Sequence, residues 1–134
     1  MTARLIGTIL ILTASLACET TITSPTATAK PIDVNAFSSQ VPPGGSASRE
    51  FILATGGTVG VTLTSTTPAD TVLGLGLGIP RSDGSCALSG AVATTAGSSS
   101  QLSLNADTGL FCVKVYDVGG LSAPVAFTLS ISRP

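Results

Sequence analysis

The three cysteines carry the most reactive side chains in this sequence. Cys86 and Cys112 lie in one β-rich region, whereas Cys18 stands alone near the N-terminus. A disulfide between Cys86 and Cys112 would close a loop of about 26 residues and stabilise the fold by roughly 3.5 kcal/mol, because it restricts the unfolded chain. The sequence has no His, which excludes a Ser-His-Asp triad, a Cys-His dyad and nearly all catalytic zinc sites. We therefore expect one structural disulfide, with Cys18 left over for other chemistry.

Cys18 directly follows residues 1–17, which are typical of a secretory signal peptide. Arg4 supplies a positive charge, and the apolar stretch after it is too short to span a bilayer. The residues Ser15-Leu16-Ala17-Cys18 resemble the lipobox of bacterial lipoproteins, in which the Cys is acylated and becomes the mature N-terminus. The resemblance implies membrane attachment through a lipidated Cys18 in the cell envelope, at the outer membrane or the cell surface. Ordinary signal peptidase cleavage before Cys18 is the alternative.

Acidic residues in or beside predicted turns suggest two further kinds of chemistry. These residues are Asp70, Asp83, Asp107 and Asp117. If strand ends cluster, two or three carboxylates approach one another and can bind calcium, which takes six to eight oxygen ligands; solvated turn caps are the alternative. The triplet Asp107-Thr108-Gly109 matches that of aspartic proteases, but its flanking residues differ from theirs and a tight turn accounts for it. We therefore expect no catalytic residue and no resident metal, with a small hydrolase as the second alternative.

Alternating glycines at Gly74, Gly76 and Gly78 leave one face of a predicted strand without side chains. The run is not a phosphate loop, because it has neither a G-x-G-x-x-G pattern before a helix nor a Gly-Lys-Ser/Thr ending. Either side chains of a neighbouring strand or loop cover this face, or it is a flat strip on which a partner backbone or a sugar lies. The three glycines are therefore a possible binding strip.

Lys114 and Tyr116 share a strand face with Cys112, opposite an apolar face. On a β-sandwich this is the solvent face, so the disulfide is expected at the surface. Lys114 has neither the S-x-x-K nor the G-x-S-x-G motif that a Ser-Lys dyad would need. Tyr116 is the one Tyr and there is no Trp, which argues against carbohydrate binding by aromatic stacking.

The elements that position these residues are short β-strands. Residues 18–36 are rich in Thr, Ala and Pro without any hydrophobic period, which predicts a flexible tether before one domain at residues 37–134. Apolar alternation between Gly, Pro and Asp turns predicts strands at residues 49–54, 58–66, 71–79, 87–95, 101–106, 110–118 and 125–131. The sequence therefore predicts an all-β fold, an antiparallel β-sandwich of jelly-roll or immunoglobulin-like type with about seven or eight strands.

Three of these segments resemble a known family. The residues from Gly109 to Asp117, a Gly-Gly turn and the residues from Phe127 to Ile131, with an earlier strand from Val59 to Leu63, are similar to the bacterial pre-peptidase C-terminal domain. The resemblance covers about residues 37–134. It implies a jelly-roll-like sandwich with an accessory, non-catalytic role in binding, spacing or export. Some relatives bind calcium and collagen or polysaccharide, but no metal ligand carries over to this sequence.

The charge balance excludes one class of partner. Six basic and seven acidic residues give a net charge of −1, so the sequence lacks the positive surface that nucleic acid binding requires. The sequence as a whole predicts an exported, lipid-anchored envelope protein whose single β-sandwich is a non-catalytic interaction or spacer module. Its expected partners are the membrane and an envelope protein or glycan. A calcium-, polysaccharide- or protein-binding accessory domain is the alternative.

Overall fold

The computed structural model describes residues 33–134, which form eight β-strands and no helix. The strands are, in chain order, β1 (Asp33–Val41), β2 (Ser46–Leu53), β3 (Gly57–Thr67), β4 (Leu73–Pro80), β5 (Cys86–Thr94), β6 (Leu102–Ala106), β7 (Gly109–Tyr116) and β8 (Val125–Arg133). The seven strands predicted from the sequence correspond to β2–β8, with ends that differ by at most three residues.

The strands form two four-stranded antiparallel sheets, which confirms the predicted β-sandwich. Sheet A has the order β1-β8-β3-β6, and sheet B has the order β2-β7-β4-β5. In an immunoglobulin-like sandwich the first two strands pair within one sheet, whereas here β1 and β2 belong to opposite sheets. This order is that of an eight-stranded jelly roll.

Alternation along the strands builds the core between the sheets. The inward positions of β3 and β4 are filled by Val and Leu, and those of β8 by Val, Phe, Leu and Ile; all are at most 3% exposed. These core residues are Val59, Val61, Leu63, Leu73, Leu75, Leu77, Val125, Phe127, Leu129 and Ile131. Burying a side chain of this size stabilises a fold by roughly 1.5–3 kcal/mol, so this core is what holds the two sheets together.

The first strand corrects the predicted start of the domain. β1 begins at Asp33, so residues 33–36, which the sequence places in the tether, pair with β8 from Arg133 to Ser130. The strand escapes sequence prediction because Phe37 and Val41 contact the core while Ser39 between them is exposed. Phe37 packs edge-on against Phe127, with 5.5 Å between the ring centroids.

Antiparallel pairing divides the loops between two ends of the sandwich. The loops after the odd-numbered strands lie at one end, where the backbone N–H of Gly44 donates to the Asp117 carboxylate at 2.7 Å. We call this the Asp117 end. The loops after β2, β4 and β6 lie at the opposite end, the Asp107 end. Asp33 and Arg133 are register partners there, so the chain enters and leaves the sandwich at the Asp107 end.

Candidate functional site

Cys86 and Cys112 form a disulfide, as predicted, with their Cα atoms 5.9 Å apart. The bridge joins β5 to β7 and therefore crosses β4, which lies between them. Strands two apart in a sheet are normally separated by about 9.5 Å, so the start of β5 must lie over the outer face of β4. Gly78 permits this approach, because a Cβ at Gly78 would collide with the backbone carbonyl of Ala87.

The disulfide differs from the expected surface bridge. Cys112 is only 2% exposed, although it occupies the outward phase of β7. Its outer face is covered because Cys86 and the first residues of β5 lie on it. Burial of Cys112 makes the bridge part of the packing of sheet B.

The glycine strip of β4 is covered by other parts of the domain. Gly74, Gly76 and Gly78 are all buried. The ring of Tyr116 lies over Gly74, and the side chain of Leu88 lies over Gly76, with its methyl carbons 2.5 Å from an ideal Cβ position. The β5 backbone covers Gly78. A partner could reach the strip only by displacing these groups, so the alternative of cover by neighbouring strands is the one observed.

The remaining side chains on this face also contact each other. Lys114 places its Nζ 5.8 Å from the centroid of the Tyr116 ring, within the range of a cation–π contact. Tyr116 itself faces Gly74 across the β4–β7 pairing. Lys114 and Tyr116 therefore cover the sheet rather than frame an opening in it.

Asp117 caps two turns at once. One carboxylate oxygen accepts from the backbone N–H of Gly44, and the other accepts from those of Gly119 at 2.8 Å and Gly120 at 3.0 Å. The Gly44 hydrogen bond is the main cause that lowers the pKa of Asp117 below its ordinary value, and the bonds from Gly119, Leu121 and Gly120 add to it. The carboxylate thus ties the β1–β2 turn to the β7–β8 loop.

Asp83 caps the β4–β5 loop in the same way. It accepts from the Ser85 hydroxyl at 2.6 Å and from the Ser85 backbone N–H at 2.9 Å. The hydroxyl bond is the main cause that lowers the pKa of Asp83. Among residues 33–134, no group of three or more His, Cys, Asp or Glu side chains is placed to hold a metal ion.

Asp107, the first residue of the protease-like triplet, lies in the short turn between β6 and β7. Gly109, which ends the triplet, has a φ of 147°, a value that favours glycine. Asp107 borders an open pocket of about 340 Å³ at the Asp107 end, whose other lining is mostly apolar: Leu77, Ile79, Leu104, Ala106 and Phe111, with Gly78, Ser89 and Asn105. The triplet therefore serves as a turn beside an apolar pocket.

Sequence reasoning missed an apolar rim at the Asp107 end. Ile52, Ile79 and Leu110 are 67%, 55% and 47% exposed, and Ile52 and Leu110 are register partners on the outer face of sheet B. The signal was present, because Ile52 and Leu110 occupy strand positions whose phase should be polar on a solvated face. We refer to Ile52, Ile79 and Leu110 as the apolar rim.

The outer face of sheet A, in contrast, carries mainly hydroxyl groups. The hydroxyls of Ser38 and Thr128 lie 2.9 Å apart, and those of Thr62 and Ser100 lie 3.2 Å apart. Two shallow depressions mark this face, of about 370 and 340 Å³. The first is lined by Ser38, Ser39, Gln40, Ser65, Thr67, Ala126, Phe127 and Thr128, and the second by Thr58, Gly60, Ser100, Ser103, Ser132, Arg133 and Pro134. Arg133 is the one charged residue in either lining.

No protein-family model matches the sequence, and no curated protein matches it. The resemblance to the pre-peptidase C-terminal domain therefore remains a prediction. Cys18, the predicted signal peptide and residues 18–32 of the predicted tether lie outside the described residues. Within residues 33–134, no helix is long and apolar enough to cross a membrane.

Proposed function

We propose that this is an exported, lipid-anchored protein of the cell envelope whose jelly-roll domain is a non-catalytic interaction or spacer module. The observation that carries the proposal is the pairing of Cys86 with Cys112. It uses two of the three cysteines in the sequence and leaves Cys18, which follows the signal-like residues 1–17. Disulfides persist in oxidising compartments, so the bridge supports export, and acylation would account for the remaining cysteine.

The use of the polar side chains supports a role without catalysis. Asp83 and Asp117 are occupied as turn caps, and Lys114 lies over an aromatic ring. Asp107 stands beside an apolar pocket, in a turn whose backbone conformation at Gly109 favours glycine. The resemblance to the pre-peptidase C-terminal domain agrees with an accessory role of this kind.

The mass of the mature protein tests the anchor. We expect the protein purified from membranes to begin at Cys18 and to carry an acyl increment, and we expect the Cys18→Ser variant to be released as a soluble protein. Release of the unaltered protein by salt, or a mature mass without the increment, would contradict the anchor. We expect Asp107→Asn to change the stability of the domain at most, because a non-catalytic domain does not depend on this carboxylate for activity.

A second candidate is binding of a neutral glycan to the outer face of sheet A. The hydroxyl groups of this face and its two depressions support it, because uncharged polar groups suit a neutral polyhydroxyl ligand. Co-sedimentation with a panel of insoluble polysaccharides tests it. We expect Ser130→Glu on this face to abolish binding and Ser48→Glu, which adds the same charge to the outer face of sheet B, to preserve it. Equal loss of binding in both variants would exclude the outer face of sheet A as the binding site. Absence of binding by the unaltered protein would exclude glycan binding altogether.

A further inference from the structure

The apolar rim lies at the end of the sandwich from which the chain continues toward Cys18. Ile52 and Ile79 are the second-to-last residues of β2 and β4, and Leu110 is the second residue of β7, so all three lie at the Asp107 end. β1 starts at the same end, with Asp33 opposite Arg133. An anchor upstream of Asp33 would therefore hold this end nearest to the membrane without turning the domain over.

We propose that the apolar rim contacts the lipid surface to which Cys18 anchors the protein, so that the sandwich stands upright on the bilayer. This proposal rests on the anchor proposed above and adds an orientation to it. The strands would run along the membrane normal, with the Asp117 end pointing away. A nine-residue strand such as β8 is about 30 Å long, so the loops of the Asp117 end would lie roughly that far above the lipid.

The length of the intervening chain makes the contact feasible. Fifteen residues from Cys18 to Ile32 separate the anchor from β1 and can span at most about 50 Å. As the flexible tether that the sequence predicts, they would average about 20 Å end to end. Such a tether keeps the local concentration of lipid high, so three exposed apolar side chains suffice for a contact that would be weak between untethered partners.

The chemistry of the rim indicates hydrophobic rather than electrostatic contact. Ile52 and Leu110 stand side by side on the outer face, and Ile79 lies at the mouth of the apolar pocket. The described side chains of the β4–β5 loop, the β6–β7 turn and the end of β8 include two basic and two acidic groups, which balance: Arg81, Arg133, Asp83 and Asp107. We therefore expect the contact to persist in high salt, which screens surface charges but leaves apolar burial intact.

Single-tryptophan variants test the orientation cleanly, because the sequence contains no Trp. Ile52→Trp places the reporter on the rim, and Val118→Trp places it at the Asp117 end, where Val118 is 44% exposed. Both are made in the full lipidated protein and reconstituted into phosphatidylcholine vesicles with brominated acyl chains. We expect a blue-shifted emission and at least threefold stronger quenching for Ile52→Trp than for Val118→Trp.

The outcomes separate the orientation from the anchor. If the protein floats with the vesicles but quenching is equal in both variants, or stronger for Val118→Trp, the rim contact is wrong and the anchor stands. If the protein does not float with them, the anchor fails and the rim contact fails with it. A third reporter, Ile79→Trp, should lose its quenching when Ile52 and Leu110 are both replaced by Ser. It should keep its quenching when Val72 and Val118, exposed at the other end, are replaced in the same way.

Discussion

Alanine substitutions along β4 test whether the glycine strip is covered by the domain itself. At Gly78, a Cβ would collide with the carbonyl group of Ala87, with 2.6 Å to its carbon, and would lie 2.8 Å from the Cα of Leu88. These are backbone atoms of a paired strand, so relief requires a shift of β5 itself. Overpacking of this kind costs roughly 1–3 kcal/mol, and Gly78→Ala should lie toward the upper part of that range.

The other positions give matched controls with the same chemical change. At Gly76, the group in the way is the side chain of Leu88, which is 38% exposed and free to turn outward. Pushing it off its rotamer costs about 0.5–1.5 kcal/mol, and the smaller conformational freedom of the unfolded chain offsets about 0.4–1 kcal/mol of that. The effect of Gly76→Ala should therefore lie between a stabilisation of about 0.5 kcal/mol and a destabilisation of about 1 kcal/mol. Gly120 has open space around it, so Gly120→Ala should be neutral or stabilising by up to about 1 kcal/mol.

Urea unfolding followed by far-UV circular dichroism gives the free energies of all three variants. The expected order of destabilisation is Gly78→Ala, then Gly76→Ala, then Gly120→Ala. If Gly78→Ala is as stable as Gly76→Ala, the β5 backbone does not cover Gly78 as described, and the strip would again be open to a partner.

Three further substitutions have outcomes set by single contacts. Replacing both Cys86 and Cys112 with Ala should lower the free energy of unfolding by about 3.5 kcal/mol, from the separation of 26 residues between them. A loss below about 1 kcal/mol in urea would contradict a closed bridge. Asp117→Asn should lower the urea midpoint most above pH 3.8. A carboxylate whose folded pKa is depressed stabilises the fold above its unfolded pKa and loses that effect as the pH falls through the folded pKa. A difference in urea midpoint between the variant and the unaltered protein that stays constant down to pH 2 would refute this. The hydroxyl of Thr66 is buried without a hydrogen-bond partner, so Thr66→Val should raise the free energy of unfolding by about 1 kcal/mol, and a decrease would show that the hydroxyl is bonded.

Local alternation predicts the strands well because each inward position is fixed by its own residue type. Val59, Val61 and Leu63 identify β3 without reference to any other strand, and β8 is equally clear. β1 is different, because Phe37 alternates with polar residues and Ser39 is exposed. Its place in sheet A depends on nine register partners in β8, which are distant in sequence. Long-range pairing, rather than local propensity, therefore determines where the domain begins.

The alternation of residues along β4 does not predict that the glycine strip is covered, because the cover also depends on strand pairing. The pairing of β4 with β5 shifts by one residue, because Leu77 faces Gly90 while Gly78 faces Leu88. This bulge brings the start of β5 over Gly78 and lets Cys86 reach Cys112. The sequence shows which two cysteines pair, but the burial of Cys112 follows from the bulge and could not be read from the alternation of β7.

The acidic residues show what strand order alone could have established. Asp70 and Asp117 follow odd-numbered strands, whereas Asp83 and Asp107 follow even-numbered ones. In an antiparallel sandwich these two pairs must lie at opposite ends, and the eight residues of β7 alone place Asp107 and Asp117 about 25 Å apart. The seven predicted strands lack β1, so their numbers differ by one from those of the structure, but the division of the four Asp residues between the two ends is the same in both. The expectation that two or three of these carboxylates meet therefore reduces to one pair at each end, and a calcium ion at either end would have to draw most of its six to eight oxygens from backbone, hydroxyl groups and water.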